Sequence, residues 1–384
     1  MTIKLYDRDS HMTEFTATVL SCSPAGKKFQ VILDQTAFFP EGGGQLPDTG
    51  LLGGAKVTDV QETPAGIVHT VSQALEAGST VTGSIDWPQR FSRMQNHSGE
   101  HIVSGLVHQK FGYDNVGFHM GPDGMILDFD GEMTEEQIQE IEWLANEAVW
   151  RNLPITAEYP PSEVVAALEY RSKLDLTENV RIVTIPGVDV CACCAPHVHW
   201  TGEVGLIKVL DFMRHRGGMR LRVVCGGEAM KDYRAKHGNI SAISATLSAK
   251  PEKTAEAVER VNAQLQETKK ALSEVQRELI RQRVESEPAL EGNRVLFEPV
   301  LDPNALRDLV NSLMEKTGGI CAAFTGSEKT GFRYVIGSKS VNLREKGKEI
   351  NAAIHGKGGG APEMIQGTAQ CTRREIRAYF LSEE

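Results

Sequence analysis

The sequence predicts an α+β protein with a small N-terminal β-barrel, a mixed α/β domain, a long helical or coiled-coil linker and a C-terminal α/β domain. Three observations indicate this architecture. Short segments of strand composition fill residues 1–90, an apolar heptad pattern runs through residues 229–288, and strands alternate with helices in residues 91–228 and 289–384. A chain of 384 residues is long enough for several domains with cores of their own.

The composition is that of a globular protein, with 40% hydrophobic and 24% charged residues. We find no apolar run long enough to cross a bilayer and no signal-peptide region at the N-terminus. Seven cysteines, three of them bunched, fit a reducing compartment, so we expect a cytoplasmic protein. The net charge of −10 argues against nonspecific nucleic-acid binding, and any RNA contact would need local basic patches.

The first domain, residues 1–90, contains closely spaced strand segments, which predict a small barrel. We expect a turn at Ser23–Gly26 and a flexible run at Phe38–Gly50, whose three consecutive glycines allow positive φ and close approach to a ligand. An ordinary loop is the alternative, and a nucleotide phosphate loop is excluded because the Gly-Lys-Ser/Thr ending is missing. The predicted strands are Phe15–Leu20, Phe29–Leu33, Lys56–Val60 and Gly66–Val71.

The second domain, residues 91–228, begins with a helix that leads from Pro88 to Phe111. A second helix has Thr134 as its N-cap and an apolar stripe at Ile138, Ile141, Leu144, Ala145 and Val149. The remaining predicted elements are a hairpin of Val116–Met120 and Met125–Asp130 around Gly121–Gly124, a helix over 162–176, and strands at Ile155–Tyr159, Arg181–Pro186, Gly205–Leu210 and Met219–Val224.

The first helix carries two histidines four residues apart, His97 and His101. Residues i and i+4 of a helix share one face, so two imidazoles at this spacing can hold one metal ion. An ordinary pair of core or surface histidines is the alternative.

A second stretch, Val190–His199, repeats the spacing with Cys193 and His197. A thiolate and an imidazole added to two imidazoles make a Cys/His₃ set, which suits tetrahedral zinc. Cys191 and Cys194 remain alternative ligands, and a disulfide is the other interpretation of the cysteine cluster. Because the two pairs are nearly a hundred residues apart, the fold must assemble the site.

The linker, residues 229–288, is predicted to form one or two long helices. Its apolar seam favours a coiled coil or helical hairpin, and it would permit a homodimer through the linker or the C-terminal domain. An amphipathic helix lying on its own chain is the alternative. The seam consists of Val258, Val261, Leu265, Thr268, Leu272, Val275 and Leu279.

The last domain, residues 289–384, ends in a glycine-rich segment, Gly356–Gly367, that contains Lys357. A glycine loop before a helix can hold phosphate oxygens on its amides, and a tight loop packed on a sheet is the alternative. The other predicted elements are strands at Val295–Phe297, Gly319–Phe324 and Phe332–Gly337 and helices at Asn304–Lys316 and Leu343–Ile350.

These motifs together resemble the editing domain of alanyl-tRNA synthetase and its freestanding AlaX-type relatives. The two four-residue spacings resemble the zinc motifs of that family, Phe38–Gly50 resembles its Gly-Gly-Gln segment, and Val198–Gly205 resembles the segment after its last zinc ligand. The linker and Gly356–Pro362 resemble the C-terminal domain called DHHA1. Order and spacing match across nearly the whole chain.

The resemblance implies zinc held by His97, His101, Cys193 and His197, and a substrate, tRNA(Ala) mischarged with serine or glycine. The chain departs from the family in one motif, which is commonly Cys-Gly-Gly-Thr-His and here has Cys194, Ala195 and Pro196 between the ligands. The proline removes a backbone donor, and the cysteine adds a thiol. Because the chain begins at the β domain, we expect it to deacylate tRNA and not to charge it.

By the same resemblance, Thr36 is a candidate for reading the serine hydroxyl, since a site built for a hydroxyl rejects a substrate that lacks one. A strand threonine without such a role is the alternative. Gln45, Asp48 and His119 are weaker candidates for the rim of the pocket. Glu100 is expected to face away from the histidines and is not assigned as a base.

For tRNA contact, basic residues near the helix start and in a predicted hairpin suit phosphate groups, whereas a solvated hairpin face is the alternative. These residues are Arg90, Arg93, Arg214, Arg216, Arg220 and Arg222. Lys357 joins them as a phosphate ligand in the glycine-rich segment.

Four protein ligands would close a tetrahedral zinc site, so the metal could anchor the substrate amine while water is activated elsewhere. Three functions are therefore open. The first is a zinc-dependent aminoacyl-tRNA deacylase, the second a non-catalytic tRNA-binding protein with structural zinc, and the third an unrelated zinc hydrolase.

Overall fold

The computed structural model describes residues 2–121, 124–172 and 179–381. The chain divides into two compact units, Met1–Ile240 and Ser241–Glu384. Both units contain helices and sheets, which confirms the α+β class. Among the described residues, every helix is too short or too polar to cross a lipid bilayer.

The first unit begins with eight strands, six of which pair in the order β2-β3-β7-β6-β5-β8 and close on themselves because β8 also pairs antiparallel with β2. Alternate residues of each strand face the interior, as at Phe15, Ala17 and Val19. The strands are β1 (Ile3–Lys4), β2 (Glu14–Ala25), β3 (Lys28–Leu33), β4 (Gln35–Thr36), β5 (Gly50–Leu52), β6 (Ala55–Thr63), β7 (Gly66–Val71) and β8 (Thr80–Ile85).

The predicted turn at Ser23–Gly26 is misplaced. Strand β2 continues through Pro24, which pairs with Phe29, and the chain reverses only after Ala25. Gly26 has a φ of +64°, which the two-residue hairpin loop requires and which glycine adopts without steric cost.

The rest of the first unit packs helices against two antiparallel sheets, with strand orders β14-β15-β10-β9 and β11-β12-β13. The elements are α1 (Trp87–Phe111), β9 (Asn115–Gly121), β10 (Gly124–Phe129), α2 (Glu135–Trp150), β11 (Thr156–Glu158), α3 (Ser162–Ala167), β12 (Ile182–Ile185), β13 (Asp189–Ala192), β14 (Ile207–His215) and β15 (Gly218–Cys225). Helix α4 (Gly226–Leu247) begins in the first unit.

The bounds of the two main helices follow from their capping residues. Asp86 caps α1 by accepting from the Gln89 amide, and Gly112 ends the helix in the left-handed conformation. Thr134 forms a capping box with Gln137 at the start of α2, which confirms the predicted N-cap.

The helix predicted over 162–176 is confirmed for 162–167 and is wrong over 168–172. Helix α3 ends at Ala167, and Leu168 is extended with φ −92° and ψ 129°. None of the α3 residues is buried, so no packing supports a longer helix. Residues 173–176 of this prediction, and Pro122 and Asp123 of the predicted hairpin turn, lie outside the described residues.

The second unit has a five-stranded sheet of order β16-β17-β18-β20-β19, with α5 preceding it in the chain. Its elements are α5 (Thr254–Ser286), β16 (Arg294–Phe297), α6 (Pro303–Met314), β17 (Cys321–Ser327), β18 (Gly331–Gly337), α7 (Leu343–Ala353), β19 (Gly356–Ala361), β20 (Met364–Ala369) and α8 (Arg373–Leu381). The predicted helical linker is thus two helices, α4 and α5.

The predicted glycine loop at Gly356–Gly367 is wrong. This segment forms a hairpin of β19 and β20 and does not lead into a helix. A side chain at Gly358 would collide with Oη of Tyr334 and with the backbone of β20, so glycine allows the close strand pairing. Lys357 is exposed on β19, the edge strand of the sheet.

The apolar seam of α5 is exposed within its own unit. Its six apolar members are between 43% and 58% exposed, whereas the buried residues of α5 include Ala257, Gln276 and Ile280 on another face. The alternative in which the seam lies on its own chain therefore does not describe this unit.

Candidate metal centre

Helix α1 places His97 and His101 one turn apart on its buried face, and their ring centroids are 5.6 Å apart. Both imidazoles are almost completely shielded from solvent. The neighbouring residues Ile102 and Val103 pack into the main core of the unit, which fixes the rotation of the helix.

The segment after β13 brings Cys193 and His197 to the same point. The sulfur of Cys193 lies 3.5 Å from Nε2 of His97 and 3.4 Å from Nε2 of His197. The His197 ring lies 4.6 Å from the His101 ring. One donor atom from each of the four residues lies within 4.8 Å of the others, so the structure assembles all four predicted ligands.

The other ring nitrogen of each histidine is already engaged. Nδ1 of His97 donates to Oε1 of Gln45 at 3.0 Å, and Nδ1 of His197 lies 3.0 Å from Oγ of Ser98. Metal-ligating histidines commonly have such an outer partner, which fixes the tautomer and aims the free nitrogen at the ion. The arrangement therefore fits a metal held through Nε2 atoms.

His101 has the strongest outer partner. Its Nδ1 lies 2.9 Å from Oδ2 of Asp189, and Arg171 donates to both oxygens of that carboxylate at 2.8 and 2.9 Å. Burial alone would raise the pKa of Asp189, but the hydrogen bonds from His101 and Arg171 hold it below its usual value. Asp189 is therefore a fixed anion behind the imidazole.

Cys193 is the favoured thiolate among the three cysteines of this stretch. Burial opposes ionisation, but the adjacent imidazoles of His97 and His197 hold the pKa of the Cys193 thiol well below its ordinary value. Burial raises the pKa of Cys191 and of Cys194 to about 11 each. Because the thiolate is the ligand form, this difference favours Cys193, although Cys191 also lies near His101 and Asp189.

The glycine run passes beside the cluster. A Cβ atom added to Gly43, whose φ is +59°, would lie 3.5 Å from the Cys194 sulfur and 3.9 Å from Cε1 of His97. A side chain at Gly44 would collide with Phe118. Glycine is therefore required here for the positive φ of Gly43 and Gly44 and for the close approach of Gly44 to Phe118, whereas a Cβ at Gly43 would make only ordinary contacts with the cluster.

Gln45, one of the predicted site residues, lies directly on the cluster. Its side chain is 1% exposed, and its Oε1 accepts from His97. Its Nε2 is a buried donor without a hydrogen-bond partner among the residues that the structure describes. Such a buried donor is rare in proteins, and it suits a position where a ligand oxygen can accept from it.

The expectation that Glu100 faces away from the histidines is wrong for its carboxylate. One oxygen accepts from Ser104 at 2.7 Å and Asn115 at 2.6 Å, and the other lies 3.7 Å from Nε2 of His101. The residue starts on a different side of α1, but its side chain bends back into the core. Sequence spacing describes the Cα–Cβ direction and not the end of a long side chain.

Thr36 is fully buried on β4 and contacts another histidine, His69. Nδ1 of His69 donates to the Val31 carbonyl, so the Thr36 hydroxyl donates to Nε2 of His69 at 2.8 Å. The same hydroxyl accepts from the Phe38 amide. Within the described residues, no hydrogen bond joins Thr36 to the four clustered donors.

Arg90 was predicted to contact RNA and Asp48 to line the rim of the pocket, but the two residues form a buried ion pair. Arg90 is 1% exposed, and its guanidinium donates to the Asp48 carboxylate and to the carbonyls of Ser10 and Ala37. Asp48 also accepts from the Phe39 amide. A side chain this enclosed cannot reach a phosphate group, so the predicted RNA contact of Arg90 is wrong.

The other predicted site residues are distributed over the surface. Arg93 is half-buried and donates to the Pro47 carbonyl, whereas His119 is exposed on β9. Arg214 and Arg216 are exposed at the β14–β15 hairpin, Arg220 pairs with Asp128 at 2.6 Å, and Arg222 is half-buried on β15. The structure does not bring these residues to the metal cluster.

Sequence reasoning missed the outer partners of the cluster, namely Asp189, Arg171 and Ser98. A carboxylate two residues before Cys191 was a possible signal for Asp189. Pairing of Arg171 with Asp189 depends on how the chain passes β13 and leaves no local pattern.

Two family descriptions match parts of the chain. Residues 10–89 match "tRNA synthetases class II (A)", and residues 180–228 match "Threonyl and Alanyl tRNA synthetase second additional domain".

Curated relatives match over nearly the whole chain. The alanyl-tRNA editing protein Aarsd1 of Mus musculus is 29% identical over 99% of this chain and 97% of its own length. The alanine–tRNA ligase of Ignicoccus hospitalis is 28% identical over 99% of this chain, which spans only 42% of the ligase. These matches confirm the resemblance to alanyl-tRNA editing proteins.

Among solved structures, the C-Ala domain of Aquifex aeolicus alanyl-tRNA synthetase matches 23% of this chain and 84% of its own length at 26% identity. The TM-score of 0.20 is too low to establish a shared fold.

Proposed function

We propose that this chain, a relative of the alanyl-tRNA editing proteins, hydrolyses the ester bond of tRNA(Ala) mischarged with serine or glycine. The observation that carries the proposal is the buried Cys/His₃ cluster beside a glycine run, in a chain similar to an editing protein along 97% of that protein. Aminoacyl-tRNA deacylation is the activity that both features support.

The proposed cofactor is zinc, held by His97, His101, Cys193 and His197. The donor chemistry fits, because three imidazoles and one thiolate are the ligands that tetrahedral zinc prefers. The two histidines whose Nε2 atoms lie within 3.5 Å of the Cys193 sulfur have Nδ1 partners behind them, which supports the same assignment. When bound, zinc would supply positive charge for anchoring or polarising the substrate.

Gln45 is the residue that we propose to contact the reacting ester. Its Oε1 is occupied by His97, so its Nε2 is the group left to donate to a substrate oxygen. A buried amide donor needs no reorganisation as negative charge develops on the carbonyl oxygen, and it lowers the barrier for that reason. The same carboxamide also positions His97.

Specificity is proposed to depend on Thr36, with His119 at the rim. Thr36 offers a hydroxyl that could read serine, but this hydroxyl is already bonded to His69. A role in substrate reading would therefore require the hydroxyl to change partner, whereas a role in supporting the barrel would not. The two roles predict different effects of the same substitution at Thr36.

For tRNA contact we propose the β14–β15 hairpin in the first unit and, separately, Lys357 in the second. Arg214 and Arg216 are exposed, and Arg214 has only a solvent-exposed partner, Glu132, so both can reach phosphate groups. Arg93, Arg220 and Arg222 are retained as weaker candidates because they are half-buried or paired.

We also propose that the chain has four parts, at 1–90, 91–228, 229–288 and 289–384.

The exposed seam of α5 supports a homodimer through the linker, because an apolar stripe of this length is normally covered. Light scattering on the wild type and on Leu272→Lys tests this. A dimer that becomes a monomer is expected, and a monomeric wild type would overturn the proposal.

A non-catalytic tRNA-binding protein with structural zinc is the second candidate. The specific observation in its favour is the number of donors, since four protein ligands leave no open position on a tetrahedral ion.

Deacylation assays separate the candidates. Purified protein is incubated with Ser-tRNA(Ala), Gly-tRNA(Ala) and Ala-tRNA(Ala), and His97→Ala is compared with His108→Ala, an exposed histidine on the same helix. We expect the wild type and His108→Ala to hydrolyse Ser-tRNA(Ala) and Gly-tRNA(Ala), and His97→Ala to lose this activity. Binding of tRNA without hydrolysis would favour the second candidate, and hydrolysis of small esters without tRNA binding would indicate an unrelated zinc hydrolase.

A further inference from the structure

A second group of metal-binding side chains lies outside the Cys/His₃ cluster. One donor atom each from Asp9, His11 and His199 lies within 4.8 Å of the other two. The two imidazole rings are stacked with centroids 3.9 Å apart, and Nε2 of His199 lies 3.7 Å from Oδ1 of Asp9. We propose that these three residues, here called the outer cluster, bind a second, exchangeable divalent transition-metal ion.

Glu203 supports the outer cluster from behind. Its Oε2 lies 2.7 Å from Nε2 of His11, and its Oε1 accepts from the amides of His199 and Trp200 at 3.0 and 2.9 Å. The carboxylate is therefore fixed by the backbone and occupies one nitrogen of His11. Nδ1 is left to face the cluster, which is the relation between a carboxylate and a metal-ligating histidine in known sites.

Spacing within the outer cluster suits a small ion. Donors about 2.0–2.2 Å from a tetrahedral ion stand roughly 3.3–3.6 Å from one another. The distance of 3.7 Å between Nε2 of His199 and Oδ1 of Asp9 is close to this separation. Oγ of Ser10 lies 3.2 Å from Nδ1 of His11 and 3.4 Å from Nε2 of His199, so a hydroxyl oxygen already stands at ligand spacing from both nitrogens.

The chemistry and exposure of the outer cluster indicate the kind of ion. Two imidazoles and a carboxylate, without a thiolate, suit zinc, nickel or cobalt. The side chains of His199 and Asp9 are 50% and 48% exposed, so an ion can enter and leave without unfolding the unit. Three protein ligands leave coordination positions open, which predicts weaker binding than at the Cys/His₃ cluster.

An ordinary surface pair on the same unit gives the comparison. Nδ1 of His108 lies 3.0 Å from Oδ1 of Asp114, and both side chains are exposed. Among the described residues, no third His, Cys, Asp or Glu side chain joins His108 and Asp114 to form a group that could hold a metal ion. His108 is therefore the matched control for His11 and His199.

An ion in the outer cluster would tie residues 9–11 to the segment after His197. Oγ of Ser10 already donates to the His197 carbonyl at 2.6 Å, so the two segments are in register without the ion. Because the ion would bind only the folded arrangement, it should raise the melting temperature, and the rise should grow with the logarithm of the free zinc concentration above the dissociation constant.

The test is metal content after equilibrium dialysis of the full chain against zinc sulfate, measured by elemental analysis. Wild type and His108→Ala are expected to hold about one equivalent more than His199→Gln and His11→Gln, since each glutamine removes one ligand. The melting temperature should rise with zinc in the first two proteins and rise less in the other two. The difference in content does not depend on deacylase activity, so failure of the proposed function leaves it testable.

Equal zinc content in wild type and in both glutamine variants would overturn the proposal. The same conclusion follows if zinc raises the melting temperature of His199→Gln as much as that of the wild type. His199 is exposed, and its replacement should not prevent folding, which circular dichroism can verify.

Discussion

His101 and Asp189 are joined by a buried contact of 2.9 Å between Nδ1 and Oδ2, across 88 positions of sequence. The contact leaves Nε2 of His101 as the nitrogen available to an ion. It also explains why a carboxylate remains ionised in a buried place, since Arg171 and His101 both donate to it.

Replacing Asp189 with asparagine should weaken zinc binding by about 10- to 100-fold, the range found for outer partners of metal-ligating histidines. The amide is uncharged, so it cannot stabilise the positive charge behind the imidazole. Competition with a chelator of known affinity measures the change, and Asp114→Asn, which alters the exposed His108 pair, is the control. An unchanged zinc affinity would show that Asp189 only supports Arg171.

Replacing Gln45 with leucine should lower kcat for deacylation by about 10²- to 10³-fold at saturating zinc, the cost of losing one oxyanion donor. Zinc content must be measured alongside, because the substitution also removes the acceptor for His97. Gln139→Leu, on the exposed face of α2, controls for loss of an amide. If kcat is retained while only zinc affinity falls, Gln45 positions the histidine and does not contact the ester.

Thr36→Val distinguishes substrate reading from structural support. If the hydroxyl reads serine, kcat/KM for Ser-tRNA(Ala) should fall while that for Gly-tRNA(Ala) stays unchanged. If its role is the bond to His69, the variant leaves buried polar groups unpaired and should lose about 1–3 kcal/mol of unfolding free energy. Parallel denaturation and deacylation measurements are required, and equal losses with both substrates would exclude the reading role.

The stability of the first unit should depend on pH through His69. Burial lowers the pKa of this imidazole from 6.5 to about 4. Between these values the unfolded chain binds a proton that the folded chain does not, so stability is complete above pH 6.5 and is lost as the pH falls towards 4. The total loss is about 3 kcal/mol.

Chemical denaturation across that pH range measures the effect. His69→Gln should show a shallower pH dependence than the wild type, because glutamine does not titrate, whereas His108→Gln should keep the wild-type slope. Parallel slopes for the wild type and His69→Gln would show that His69 is not the group responsible.

The local elements were largely predictable because their signals are local. The two main helices begin and end at capping residues that lie at the helix ends themselves. Asp86 and Gly112 cap the two ends of α1, and Thr134 caps the start of α2. The four clustered residues were predictable for a similar reason. A four-residue spacing is one helical turn for His97 and His101, and the same spacing recurs with suitable chemistry at Cys193 and His197.

The glycine-rich segment shows where local signals fail. Gly356–Gly367 has the composition of a loop, but β18 offers a strand edge to which it pairs, and the absence of side chains lets the strands approach Tyr334. Arg90 shows the same limit for charge, because its basicity suggested phosphate and its buried partner, Asp48, is 42 residues away.

The sequence alone determined which residues could supply a thiolate, imidazoles and helix caps, because those properties belong to residue types and short spacings. Only the tertiary structure decided that Asp189 stands behind His101, that Gln45 keeps a buried donor without a partner among the described residues, and that Asp9, His11 and His199 meet. These contacts join distant segments. They depend on how β13, the glycine run and the N-terminal segment pack around α1, and packing is a property of the whole core.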